Sequence, residues 1–355
     1  MTSLLSGLSE IGPQHEYILY SDRPDRHTRG FLTEPFYKKC IGDFPLLRSP
    51  IIWQQLVLPA AVWRDGIDVL VSPYYCGPVY SPVPHVVFLY DVSFMEYPED
   101  FPSWPKFKPK LLARPSCGTA DLVVTISEFS QSEIVRHFGL PRRKVAIVRP
   151  GNDLKRMIGP SSRSVSTVFR ELGKTPFFLF VGTLLPRRQV GRVLEALSML
   201  PSKYHFVVVG DDDEDRRRML NRKGRSFGLA DRMHVLGHIS DYELEKAYAG
   251  ASALISPSIY EGFGLPLLEA MVRRVPIIVW DIPINREVVG DAGVLIPVGD
   301  VKTLASSMLE VATNDDWRTE LGARGHTRAG SFSWESSTSS FLNLLEEKFL
   351  NGNDG

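Results

Sequence analysis

Pro257-Ser-Ile-Tyr-Glu261-Gly-Phe-Gly-Leu-Pro-Leu-Leu-Glu269-Ala-Met271 is the stretch on which the reading of this chain turns. The apolar run ALISPS (253–258) before it has the length and composition of a buried strand. A loop follows, with Glu261 set between a tyrosine and Gly262-Phe263-Gly264, and Pro266 stands where a first helical residue would. The glycines let backbone N–H groups come close to a ligand, and the new helix aims its free N–H groups and positive dipole end at the same place. Glu269 is expected in the first helical turn, so both carboxylates can face one cavity. Ionised carboxylates accept hydrogen bonds from hydroxyl groups, which suits a sugar. A capping glutamate beside a glycine turn is the plainer alternative, and one carboxylate alone would favour it. The whole string, placed after a strand and before a helix, favours ligand chemistry.

Outward from this stretch the same alternation repeats. Strands are expected at 177–182, 205–210, 233–238, 253–258, 276–281 and 293–298, with helices at about 190–199, 214–223, 241–249, 265–273 and 301–311. An earlier series has strands at 17–22, 68–73, 85–91, 121–127 and 144–150, and helices at about 2–11, 49–63 and 127–138. Two strand–helix series of similar size imply an α/β chain with two Rossmann-like domains facing across a cleft. Residues 151–175 lose periodicity and gather Gly, Ser and Pro. The expected organisation is therefore a first domain over 1–155, a hinge over 156–175, a second domain over 176–330 and a C-terminal helix over 331–355.

Bulk composition excludes several classes. With 41 basic and 41 acidic residues in 355, no global field recruits nucleic acid. Cys40, Cys76 and Cys117 are widely spaced and form no CxxC pair, which argues for a reducing compartment and against structural zinc. No apolar run approaches the roughly 20 residues of a membrane span. MTSLLSGLSEIG lacks the basic leader and cleavage site of a signal peptide, so a cytoplasmic protein is expected.

Four further segments bear on chemistry. Gly182-Thr183-Leu-Leu-Pro-Arg187-Arg188-Gln189 joins a strand to a helix. Two cations at a helix start oppose its dipole unless an anion arrives. A diphosphate supplies that anion, and its departure builds the negative charge a transferase must stabilise. Asp211-Asp-Asp-Glu-Asp215 invites a metal reading. Helix-start acids preceding Arg216, Arg217 and Arg218 by four positions explain it better. Ser127 reads as a helix N-cap ahead of a ligand contact. Residues 101–114 carry four cations, three aromatics and no acid, so they are a candidate for peripheral contact with an anionic membrane, a solvated loop being the commoner explanation.

PSIYEGFGLPLLEAM, followed by VPIIVWDIPINREVVGDAGVLIPVGD, resembles the signature region of retaining GT-B glycosyltransferases in glycosyltransferase family four, which holds bacterial mannosyl- and related transferases. FVGTLLPRRQVGRVLEAL (180–197) and VLGHIS (235–240) extend the likeness, and 1–150 follows it loosely. The resemblance implies that Glu261 holds hydroxyls of the donor sugar and Glu269 the ribose. The backbone from Gly262 through Phe263 and Gly264 to Leu265 would meet the diphosphate. Arg187 and Arg188 would stabilise the departing phosphate, and His238 and Ile239 would lie beside the base, although a packed or surface His238 fits as well. It implies a hexose, mannose from GDP-mannose first, passing to a glycan or lipid-linked acceptor without metal or cofactor.

Departures from the family pattern are specific. Arg-Arg-Gln stands at 187–189 where Arg-Lys-Asn is usual, and Tyr90-Asp91 where His-Asp is usual, with the histidine near the reacting sugar. Val272-Arg-Arg274 replaces small residues. The chain opens in what resembles the family's first helix, so the central first strand of the N-terminal sheet is missing and a slot is expected between its neighbours. Tyr90 and that slot favour a non-catalytic sugar-nucleotide-binding homologue or partner subunit as the alternative function. A GT-B-fold sugar-nucleotide epimerase is third.

Overall fold

Short runs of β-branched and aromatic residues supply all-buried strands, and amphipathic stretches between them supply the covering helices, which is the recipe for parallel sheet. The computed structural model describes residues 2–21, 36–40, 49–101, 108–152, 169, 172–173, 175–210 and 213–350. Its chain divides into two compact units, Met1–Gly151 with Ser333–Gly355 and Asn152–Phe332. The C-terminal residues thus pack with the first unit. Most of the expected hinge, 156–175, lies outside the described residues.

In the first unit, strands β1 (Tyr17–Ser21) and β2 (Phe36–Cys40) pair in parallel. Separately, β3 (Leu70–Ser72), β4 (His85–Phe88), β5 (Leu122–Thr125) and β6 (Val145–Ile147) form a parallel four-stranded sheet in that order. Among the described residues these are two separate sheets, of two and four strands. β2 was not expected, because FYKKC follows two apolar residues with two lysines and shows no period of two. The helix Lys108–Thr119 was also not expected over most of its length, since Pro115 lies inside it. It forms because Ala113, Ser116 and Cys117 are buried in the unit's interior.

The second unit has one sheet of six parallel strands: β7 (Phe177–Val181), β8 (His205–Val209), β9 (Met233–Gly237), β10 (Ala251–Ser256), β11 (Ile277–Trp280) and β12 (Val294–Ile296). Their order is β12-β11-β10-β7-β8-β9. The chain runs outward from β7 to β9, then returns to β10 on the other side of β7 and runs outward again. The strand order therefore reverses between β7 and β10, and ligands of such sheets bind beyond the carboxyl ends at that point. The stretch Pro257–Met271 follows β10.

Candidate active site

Glycines close the strands at the switch point. Gly182, directly after β7, has φ +143°, and a Cβ there would lie 2.1 Å from Nη1 of Arg188. Only glycine lets the guanidinium lie across the strand end. Gly210, after β8, donates to the Gly237 carbonyl at 2.7 Å and has φ +110°. From Gly182 the chain passes to a single 3-10 turn, Pro186–Arg188, and enters the helix Val190–Ser198 through Gln189 in the left-handed region, φ +46°. That conformation costs a side-chain-bearing residue about 1–2 kcal/mol and is met mostly where function requires it. Gln189 Oε1 accepts from Trp280 Nε1 at 3.2 Å, tying the turn to the end of β11.

The loop after β10 meets this turn. The Ile259 N–H donates to the Arg187 carbonyl at 3.0 Å, and the Arg187 side chain is buried. Glu261, 8% exposed, accepts from Ser258 Oγ on Oε1 at 2.8 Å. Arg188 Nη2 lies 3.3 Å from Glu261 Oε1 and 3.4 Å from Oε2. These are long contacts for a charge-assisted pair. Arg188 Nε is buried and makes no hydrogen bond among the described residues. A half-buried guanidinium so loosely held keeps donors for an incoming anion. Gly262 and Phe263 are buried, Phe263 standing edge-on to Phe332 with ring centroids 5.5 Å apart. Gly264, φ +89°, caps the helix Leu265–Val272, and Leu265 is exposed.

One expectation is corrected here. Glu269 is the fifth residue of its helix and opens the second turn, because Leu265 and not Pro266 is the first helical residue. Its Oε2 accepts from the Tyr248 hydroxyl at 2.7 Å. Burial raises its carboxyl above the ordinary carboxylate range, against the opposing pull of Tyr248 and Arg273. Thus Gly182, Arg187, Arg188 and Glu261 come together, while Glu269 has a separate set of neighbours. Thr183 and His238 are exposed, Ile239 is half-buried, and Ser240 begins a capping box on the helix Asp241–Gly250.

The first-unit candidates are engaged locally. Strand β4 ends at Phe88, short of Tyr90. The Tyr90 hydroxyl donates to the Pro73 carbonyl at 2.7 Å, and burial, then the neighbouring Tyr74, pushes its pKa up to about 12. Asp91 Oδ1 accepts from the Ser93 N–H at 2.9 Å, opening a one-turn helix. Ser127 caps its helix, accepting from the Ser130 N–H at 3.0 Å. Of the acidic run, Asp211 and Asp212 lie outside the described residues. Asp213 is a helix N-cap that pairs with Arg216 at 3.5 Å, and Glu214 pairs with Arg217 at 2.7 Å and Arg218 at 3.2 Å. Two of these three pairs are spaced by three positions, not the four expected. Residues 102–107 of the basic segment are outside the described residues, whereas Leu111 and Arg114 are exposed on the helix Lys108–Thr119.

Ser258 and Tyr248 were not singled out from the sequence, and Gln189 and Arg273 were noted only as departures, with no role. Ser258 and Gln189 sit inside the quoted motifs, so proximity was the available signal. Arg273 had one as well: it departs from the small residues its family favours.

A six-stranded parallel sheet with an arginine–glutamate pair at its switch point is an α/β domain with charged groups where such sheets bind ligands. Solved structures of similar fold include sucrose-phosphate synthase from Thermosynechococcus elongatus, with TM-score 0.75 at 18% identity over 97% of this chain and 91% of that one. Anabaena HepE, in complex with UDP and glucose, gives TM-score 0.72 at 17% identity over 98% and 96% of the two chains. The fold is GT-B. The family model of glycosyl transferases group 1 matches residues 165–328, and that of glycosyltransferase family 4 matches residues 2–156. O-antigen chain mannosyltransferase B of Escherichia coli is 31% identical over 285 residues, 77% of this chain and 74% of its own length. O-antigen chain mannosyltransferase RfbU of Salmonella typhimurium is 25% identical, covering 63% of this chain and 60% of its own. The chain belongs to the group 1, family 4 glycosyltransferases and is an enzyme of that class. Among the described residues no helix is long and apolar enough to cross a membrane.

Proposed function

We propose that the chain transfers mannose from GDP-mannose to a glycan or lipid-linked acceptor, with retention of anomeric configuration. The observation that carries this reading is the Arg188–Glu261 pair lying over Gly182 at the switch point. In the proposed reaction the bond from the sugar's anomeric carbon to the leaving phosphate oxygen breaks. The acceptor oxygen bonds to that carbon from the same face, and its proton passes to the departing phosphate. Arg187 and Arg188 offset the charge that builds there, a task for guanidinium groups without metal or cofactor. Glu261 accepts hydrogen bonds from the donor sugar's hydroxyls, the backbone from Gly262 to Leu265 meets the diphosphate, Glu269 meets the ribose, and His238 and Ile239 flank the base. Mannose is favoured because relatives in the O-antigen class carry that activity in their names. The test is transfer of labelled mannose to an O-antigen-type glycolipid with EDTA present, the product's anomer read by NMR. An inverted linkage, no product, or activity lost to EDTA each removes part of the proposal.

Attachment to the cytoplasmic face of an anionic membrane is the second part of the reading. The helical run Pro50–Ile52, Trp53–Val57 and Leu58–Arg64 exposes Leu56 and Trp63 (66% and 74%) and carries no acid. Gln55 Nε2 and Ser116 Oγ both donate to the Gly77 carbonyl, at 3.1 and 2.7 Å, so this run and the basic helix Lys108–Thr119 flank one loop. Apolar side chains beside cations suit an anionic bilayer surface. Flotation with anionic but not neutral vesicles is expected, and Leu56→Ser with Trp63→Ser should abolish it.

One observation favours the alternative, a sugar-nucleotide-binding homologue without turnover: Tyr90 and Asp91 are both spent on local structure. Calorimetric binding of GDP-mannose with neither transfer nor hydrolysis would establish it.

A further inference from the structure

Glu269 is braced from behind by groups that belong to neither nucleotide nor sugar. Tyr248, on the helix Asp241–Gly250, is fully buried, and its hydroxyl occupies Glu269 Oε2. Burial first, then the Glu269 charge, raises the Tyr248 pKa, so this hydroxyl keeps its proton and always donates. Over the Tyr248 ring, 4.9 Å from its centroid, lies the guanidinium of Arg273. Arg273 Nε reaches both Glu245 oxygens, at 3.1 and 2.9 Å, its Nη2 also contacts Glu245, and its Nη1 donates to the Glu269 carbonyl at 2.8 Å. Arg273 is thus fixed at both ends, held to one helix by Glu245 and to the other by the backbone of Glu269. Glu269 Oε1 makes no hydrogen bond among the described residues.

The geometry points to Tyr248 and Arg273 as positioning residues for ribose recognition: they lock the Glu269 carboxylate so that Oε1 alone is presented to a ribose hydroxyl. The inference rests on the reading that Glu269 meets the ribose. The chemistry explains why a large cation occupies a position where small residues are favoured. A half-buried carboxylate needs nearby positive charge to stay ionised, and Glu245 and Asp241 both work against it. Arg273 supplies that charge through an intervening aromatic ring, leaving the ligand side of Glu269 open. Tyr248 also removes the rotational freedom that would otherwise be lost on binding.

Calorimetric titration of the full chain with GDP and with 2′,3′-dideoxy-GDP tests this, using wild type, Tyr248→Phe, Arg273→Met, Arg273→Lys and Glu269→Gln. Tyr248→Phe should weaken GDP about tenfold, the scale of one hydrogen bond to a charged group, and leave the dideoxy nucleotide unchanged. Arg273→Met should do the same and Arg273→Lys should restore most of the loss. In a Glu269→Gln background neither change should matter. The pH profile gives a second readout. Losing a donor to the charged form raises the Glu269 pKa, so as pH falls GDP affinity should fade at a higher pH in Tyr248→Phe than in wild type. Equal losses for both nucleotides, or no loss for GDP, overturn the inference while leaving the ribose reading intact. A wild type that does not distinguish GDP from its dideoxy form overturns the ribose reading itself, and this inference with it.

Discussion

The loops beyond β7 and β10 and the loop beyond β4 all leave the carboxyl ends of parallel strands, yet they are built differently. Beyond β7 and β10 a half-buried arginine faces a buried glutamate at 3.3 Å, with a buried Nε that bonds to nothing among the described residues. Beyond β4 the tyrosine hydroxyl and the aspartate oxygen already serve Pro73 and Ser93 at 2.7 and 2.9 Å. Burial costs a charge heavily unless a partner arrives, so the second unit's arrangement is poised for a ligand. The first unit's groups are satisfied without one. In the proposed reaction the difference puts charge stabilisation in the second unit and framework at the strand end of the first.

Substitution at the Arg188–Glu261 pair should produce the largest effect. Arg188→Met is expected to lower kcat/KM by about 100- to 1000-fold, the range for removing one preorganised donor from a developing negative charge. Glu261→Gln should cost transfer on a similar scale. The two should separate in binding: Arg188→Met weakens GDP, whereas Glu261→Gln leaves GDP affinity near wild type because its proposed contacts are to the sugar. Calorimetry beside transfer kinetics decides this, with thermal melts to exclude unfolding. Equal weakening of GDP by both would dissolve the assignment.

Acid should break the first unit's framework. His85 on β4 is 2% exposed, and its imidazole meets Ser72 Oγ at 2.8 Å. Burial lowers its pKa to about 4, against the opposing charge of Asp121. The folded value lies below the unfolded value of about 6.5, so the unfolded chain binds the extra proton between them. Stability from this group is therefore present above about pH 6.5 and is lost as pH falls through about 4, roughly 3 kcal/mol in all. Hydrogen exchange at β3 and β4 should accelerate over that interval while β7 and β10 stay protected. Simultaneous loss in both units would show that the acid response lies elsewhere.

Tyr90→Phe sharpens the same contrast on a smaller scale. If Tyr90 serves the framework, its loss should cost about 1 kcal/mol of stability, one buried hydrogen bond, and change kcat by less than about threefold. A fall in kcat of a hundredfold with unchanged stability would return Tyr90 to the reaction.

How much of this was legible in the sequence follows from the kind of residue involved. Every strand of the second unit was visible, because fully buried parallel strands read as continuous apolar runs. β2 was hidden by its two lysines, and the helix Lys108–Thr119 by Pro115, since tertiary burial there overrides local preference. Arg187, Arg188 and Glu261 were visible because charge beside glycine after a strand is costly without a ligand. The brace on Glu269 was not, since Tyr248 lies 21 positions away and nothing local links the two. Its only trace was the odd Arg273.

The adjacent Arg274 shows that the same departure has a cost as well as a use. Its helix ends at Val272 with Arg273 as C-cap, and Arg274 follows in the left-handed region at φ 58°. That position after a helix is usually glycine, because a Cβ crowds the carbonyl there. Gly322 packs against the Arg274 carbonyl so closely that a Cβ on Gly322 would lie 2.4 Å from it, so the backbone has little room to relax. Arg273 braces Glu269, while Arg274 has no comparable partner among the described residues. Arg274→Gly should therefore stabilise the second unit by about 0.5–1 kcal/mol, the relief of the left-handed strain less the entropy of freeing a glycine in the unfolded chain. The change should leave GDP affinity untouched, in contrast to Arg273→Met one position earlier. Urea denaturation checks the sign. A destabilised Arg274→Gly would mean that this side chain, like its neighbour's, contributes more than its backbone costs.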